Sequence, residues 1–174
     1  MDKKILYILL IFFSINSFSQ NGRNGPSLWE EIRINSKLEY DNTKPQIIEA
    51  LKKYDSHQYL INRLSKNGQR YLFYTVSEAL KRDLPVELSL IPFIESQFDP
   101  YAQSSTGASG IWQFIPSTAL ENGLKKNWWY DARRDIVAST NAAYDFLIKL
   151  NEEHDDWLIA IAAYNAGPSR VRKE

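Results

Sequence analysis

LPVELSLIPFIESQFDPYAQSSTGASGIWQFIP, residues 84–116, is the stretch on which the reading of this chain turns. From Pro85 to Ile94 it sets Val86, Leu88, Leu90, Ile91, Phe93 and Ile94 nearly all round a helical projection, the pattern of a helix buried on every side. Glu95 follows directly. A carboxyl group at the end of a buried helix, beside Phe93, Ile94 and Phe98, loses hydration, and desolvation favours its protonated form. Such a group can donate a proton near neutral pH. On its own the signal is weak, because a glutamate at a helix end is usually solvated structure.

The second half of the stretch adds to it. Ser104, Ser105, Thr106, Gly107, Ala108, Ser109 and Gly110 form a small-residue loop whose backbone a chain-like ligand can approach closely. Ile111, Trp112, Gln113, Phe114 and Ile115 follow in an extended-looking run that would turn the Gln113 amide opposite to the two rings. Pro116 suits the first turn of a helix. The loop has no Gly-Lys-Ser/Thr ending, so it is not a phosphate-binding loop.

Helical spacing extends to both sides. Toward the N-terminus, Tyr71, Leu72, Val76, Ala79 and Leu80 make a stripe broken before Pro85, since the residue preceding proline disfavours helical geometry. Tyr59, Leu60 and Leu64 make an earlier stripe that Gly68 ends. Pro45 starts another with Ile47, Ile48, Leu51 and Tyr54, and Leu28 and Ile32 suggest a short, marginal helix. Toward the C-terminus, Asp135 to Glu153 carries Ile136, Ser139, Ala143, Phe146, Leu147 and Leu150 on one side, and Asp156 to Ala166 forms a last apolar helix ended by Gly167 and Pro168. No segment alternates convincingly as a strand. The expected fold class is all-α, with a Gly-rich loop or short hairpin after the Glu95 helix.

Composition narrows the function classes. The 174 residues carry 21 Lys+Arg against 21 Asp+Glu, which leaves no basic footprint and argues against nucleic acid as a partner. The absence of cysteine excludes a disulfide framework, a thiolate metal site, a Cys nucleophile and a lipid-bearing N-terminal Cys. Only His57 and His154 offer imidazole chemistry, and no motif asks for a metal or cofactor. Aromatic residues are 13% of the chain, rich enough to serve either a core or a sugar-binding surface.

Residues 1–19 read as a secretion signal: Lys3 and Lys4 precede the apolar run Ile5 to Phe13, and Ser17 and Ser19 place cleavage before Gln20. The apolar run is short of the ~20 residues that span a bilayer. The alternative is an uncleaved anchor, with Gln20 to Pro26 as tether. A polar linker (20–45), an N-terminal helical segment (46–70) and a main domain (71–174) complete the expected organisation.

Three blocks carry a family resemblance: Glu95-Ser96; Ser104 with Gly107-Ala108-Ser109-Gly110-Ile111-Trp112-Gln113-Phe114-Ile115-Pro116; and Ala163-Tyr164-Asn165-Ala166-Gly167. In this order and spacing they resemble the lytic transglycosylases with a goose-lysozyme-like domain. Trp128-Trp129-Tyr130-Asp131 and Arg133-Arg134-Asp135 bring the chain nearest to that family's membrane-bound D branch. The resemblance implies a lysozyme-like helical fold and cleavage of peptidoglycan glycan strands between N-acetylmuramic acid and N-acetylglucosamine, with cell-wall synthesis proteins as candidate partners. It implies that Glu95 is the catalytic acid and base, and that Ser104, Gln113, Tyr164 and Asn165 are substrate-side residues. Ala at Gln113 or Tyr164 is then expected to lower turnover and leave the fold intact. Relatives in this branch usually continue past the last block, which makes the chain read as a domain cut short at its C-terminus. They often carry a lipid-bearing Cys that this sequence lacks.

Most glycosidases use two carboxylates. Asp99 lies four residues after Glu95, but Pro100 forces it out of helical geometry. Asp131 and Asp135 bracket Arg133 and Arg134, and ion pairing with helix capping accounts for them. A single-carboxylate mechanism fits this gap. The family's chemistry has the substrate's N-acetyl group assist bond breaking and its C6 hydroxyl close a 1,6-anhydro ring, so no water is consumed. Two readings compete with it: a hydrolytic muramidase on the same fold, and a non-catalytic glycan-binding protein, which would have no use for a partly buried acid.

Overall fold

The computed structural model describes residues 28–38, 58–167 and 171. The expected secretion signal, His57, Pro168 and the helix expected around Ile47 to Tyr54 lie outside them. Among the described residues the order is α1 (Leu28–Ile34), α2 (Gln58–Lys81), a 3-10 turn (Val86–Leu90), α3 (Ile91–Ser96), α4 (Pro116–Glu121), α5 (Ile136–His154) and α6 (Trp157–Ala166). They contain isolated bridges but no sheet. The chain divides into two compact units, Met1–Leu90 and Ile91–Glu174.

In the first unit, α2 buries Leu72, Val76 and Ala79 at helical spacing and packs on the 3-10 turn. Gly68 was expected to end a helix, but it is buried within this continuous one. A mid-helix glycine costs only about 1 kcal/mol, and packing of the long apolar face overrides it. The helix ends where expected, through a Schellman arrangement: Leu84 N–H bonds Ala79 O at 3.0 Å, Asp83 N–H bonds Leu80 O at 3.1 Å, and Asp83 takes a left-handed φ of 55°. Glu87, fully buried in the turn, accepts from Ser36 Oγ and from the backbone N–H groups of Lys37 and Leu38.

The single buried helix expected over Pro85–Ile94 is instead the 3-10 turn followed by α3. The reason is Pro92. It has no N–H, and its ring would strike the carbonyl four residues back, so an α-helix can accept it only in its first turn. The burial was read correctly, since every residue from Val86 to Phe93 is buried.

In the second unit α5 and α6 form a helical hairpin, joined by Asp155 at φ 51° and Asp156. Both helices are capped. The Asp135 side chain accepts from Ala138 N–H at the start of α5, Asp156 accepts from Leu158 and Ile159 N–H at the start of α6, and Gly167 at φ 91° ends α6. Trp112 is fully buried in this unit, edge-on to Tyr144 at 5.3 Å, with its indole N–H bonding Thr140 Oγ1 at 3.0 Å.

The loop from Asp99 to Ile115 is held by one buried cation. Arg133, only 4% exposed, forks onto Asp131 (Nε to Oδ1 2.9 Å, Nη2 to Oδ2 2.6 Å) and donates through Nη1 to Gly107 O at 2.8 Å and Phe114 O at 3.2 Å. Arg133→Ala would strand a carboxylate and two carbonyls, and is expected to destabilise the fold by about 3 kcal/mol; Lys cannot reproduce the fork and should recover only part. The hydrogen bond from Arg133 holds the Asp131 carboxyl below its ordinary value of 3.8. Because the folded-state value is depressed, the pair's contribution is present above the unfolded value and is lost as pH falls through the folded one. Urea unfolding at about pH 7 and about pH 3 should therefore show Asp131→Asn less stable than the parent at the higher pH, with the gap narrowing at the lower.

Candidate active site

Glu95 is the penultimate residue of α3 and is half-buried. The helix is fixed at its C-terminal end by Ser96, whose hydroxyl bonds Pro92 O at 3.1 Å and Ile111 O at 2.9 Å. It stops because Gln97 and Phe98 both take left-handed φ, 55° and 59°. Each non-glycine residue there costs roughly 1–2 kcal/mol, an amount that burying the Phe98 ring offsets. Asp99 is thereby carried off the helix and exposed, with its Oδ1 accepting from Tyr101 N–H at 2.8 Å. It shares no helix face with Glu95, as the sequence led us to expect, although the break falls two residues earlier than Pro100 alone would place it.

Tyr164, near the end of α6, donates its hydroxyl to Trp112 O at 2.8 Å. Its ring packs against Trp112, Phe114 and Phe146, with centroids 6.4, 6.1 and 5.7 Å away. Burial, and after it the charge of the nearby Glu95 carboxylate, hold the phenol well above its ordinary range, so it stays a neutral O–H donor. Glu95, the Trp112 carbonyl and Tyr164 are thus brought together from the three sequence blocks. The ring contacts change the substitution that tests Tyr164. Ala would remove the ring that packs on Trp112, Phe114 and Phe146 together with the hydroxyl, whereas Phe removes the hydroxyl alone. Tyr164→Phe is expected to lower kcat by about tenfold or more with a stability loss of about 1 kcal/mol, read by turnover assay and thermal melt.

Asn165 donates from Nδ2 to Ile161 O at 3.0 Å, and its Oδ1 is buried without a hydrogen-bond partner. Ser104 and Gln113 have their bonds inside the loop. Ser104 Oγ accepts from Ala108 N–H at 3.0 Å and pairs with Thr106 Oγ1 at 2.9 Å. Gln113 Nε2 donates to Gly110 O at 2.9 Å and Ala102 O at 3.3 Å. The run around Gln113 is a turn and not extended, because Gln113 itself has a φ of 52°. Trp112 and Phe114 are buried and belong to the core. Gly110, at φ 81°, passes so close to the Arg133 backbone that an added Cβ would sit 1.8 Å from Arg133 O. Sequence reasoning accounted for Arg133 by local pairing and missed its reach to Gly107 and Phe114. Its Asp-x-Arg spacing signals only the local half.

The model of the transglycosylase SLT domain matches residues 75–174. The chain is 44% identical over 129 residues to membrane-bound lytic murein transglycosylase D of Escherichia coli strain K12, covering 74% of this chain and 28% of that protein. It is 35% identical over 92 residues to membrane-bound lytic murein transglycosylase F of Desulfosudis oleivorans, covering 49% and 19%. To membrane-bound lytic murein transglycosylase C of Photorhabdus laumondii it is 28% identical over 130 residues, covering 66% and 36%. The chain therefore spans less than half the length of each of these relatives.

Proposed function

Because this chain belongs to the transglycosylase SLT domain family, we propose that it cleaves the N-acetylmuramic acid to N-acetylglucosamine bond of peptidoglycan without water, leaving 1,6-anhydro-N-acetylmuramic acid ends. The observation that carries this reading is the meeting of a half-buried Glu95 with the neutral Tyr164 phenol, at the convergence of α3, the Gly-rich loop and α6.

Glu95 acts first as acid. Its proton passes to the glycosidic oxygen as the bond to C1 breaks, and the substrate's N-acetyl oxygen takes up the positive charge at C1. Glu95, now a carboxylate, next takes the proton of the C6 hydroxyl as O6 attacks C1, and the acid form is regenerated. Tyr164 keeps its proton on the Trp112 carbonyl, so it offers the carboxyl an oxygen acceptor and does not compete as an acid. Asn165 Oδ1 is a buried acceptor without a partner, and a rotation of the side chain toward the groove would let it take an amide N–H or hydroxyl of the sugar. Ser104 and Gln113 act on the substrate side through the loop that their side chains brace. The secretion signal and the membrane-bound relatives support action in the cell envelope after export.

The test is digestion of purified sacculi followed by borohydride treatment of the released muropeptides. Anhydro ends have no free aldehyde and resist reduction. Reducible ends would assign the chain to hydrolysis, and no release at all would leave a binding protein.

A further inference from the structure

The second unit carries a feature that the proposed chemistry does not use. Trp128 and Trp129 are 88% and 90% exposed, side by side, with rings edge to face at 6.5 Å. Leaving two such side chains in water forgoes the stabilisation that burying an indole brings. The loop that presents them is nevertheless firmly built. Asn127 Oδ1 accepts from both Trp129 and Tyr130 N–H at 2.8 Å, and Asn127 N–H returns a bond to Tyr130 O at 2.8 Å. Lys126 pairs with Asp131 at 3.7 Å, and Tyr130 donates its hydroxyl to Asp135 Oδ2 at 3.0 Å. A loop whose backbone is already held has less ordering left to lose when its aromatic tip binds.

The tip forms one wall of an open cavity of about 510 Å³, in the range of ligand sites, to which Tyr101 adds a further exposed ring and Asp131 and Asp135 add carboxylates. Tyr101 comes only six residues after Glu95 in the chain, yet Glu95, Tyr164 and Asn165 do not line this cavity. We propose that it is a saccharide subsite remote from the reacting bond, where Trp128, Trp129 and Tyr101 stack on sugar faces and the carboxylates accept from sugar hydroxyls. This rests on the glycan-strand reading above, since a linear polymer extends beyond the pair of sugars being parted.

The lining favours a sugar over an anionic lipid surface. The lining sets Asp131 and Asp135 against Lys126 and Arg134, so the wall has no excess of positive charge with which to attract phosphate headgroups. Lys126 pairs with Asp131, and Arg134 donates to Ser109 Oγ at 3.1 Å.

The experiment uses the full chain carrying Glu95→Gln as a binding-only background and measures co-sedimentation with purified sacculi. Adding Trp128→Ala and Trp129→Ala together should weaken binding by about tenfold with an unchanged melting temperature, and Phe at both positions should restore most of it. Binding within about twofold of the background in the double-Ala protein would overturn the subsite. So would loss of flotation with phosphatidylethanolamine–phosphatidylglycerol vesicles while sacculus binding stays intact, which would make the tip a membrane anchor. Failure of the broader reading looks different: the unsubstituted chain would release no muropeptides, whereas a failed subsite leaves release intact and binding indifferent to the indoles.

Discussion

Glu95→Gln is expected to cut release of anhydro-muropeptides by about a thousandfold to ten-thousandfold, with sacculus binding and fold retained. The amide keeps the size and the place at the end of α3 but has no proton to give the leaving oxygen and no charge with which to take one from the C6 hydroxyl. Both half-reactions fail together, which is the signature of one group serving twice. Asp99→Asn is the matched control. Asp99 is exposed and its Oδ1 is occupied by Tyr101 N–H, so its loss should change activity little. An active Glu95→Gln beside an inactive Asp99→Asn would move the chemistry to the other carboxylate.

The second large effect is structural. Gly110→Ala is expected to destabilise the fold by about 3 kcal/mol or more, combining left-handed strain with overpacking. The added Cβ would lie 1.8 Å from the Arg133 carbonyl oxygen, a backbone atom that cannot swing aside as a side-chain end can. The displacement would travel to the bonds that Arg133 makes with Gly107 O and Phe114 O, and activity per folded molecule should fall with stability. Gly123→Ala is the comparison: Gly123 also has a positive φ, 76°, but nothing within 4 Å of the added carbon, so only the conformational cost applies. Chemical denaturation of both proteins, with turnover corrected for folded fraction, checks this.

The elements most legible in the sequence were those with local punctuation. Asp135, Asp156 and Gly167 announced the limits of α5 and α6 because a cap acts on the residues next to it. The acid at the end of a buried segment was legible for the same kind of reason. What escaped depends on partners distant in the chain. Gly68 stays helical through packing that local propensity does not register. Gln97 and Phe98 turn left-handed without a glycine to signal it, since burial of the Phe98 ring carries the strain. Trp112, equally suited by type to a sugar face or a core, is committed to the core by Thr140 and Tyr144. The most exposed rings among the described residues are Trp128 and Trp129, and no periodicity distinguished them.

The central claim, that the sugar's own hydroxyl and not water closes the reaction, is tested most directly by digesting sacculi in water enriched in oxygen-18 and weighing the muropeptides by mass spectrometry. The account predicts anhydro-muropeptides lighter than the hydrolytic product by one water and free of label from the first turnover. Reducing-end muropeptides carrying one oxygen-18 at C1 would contradict it.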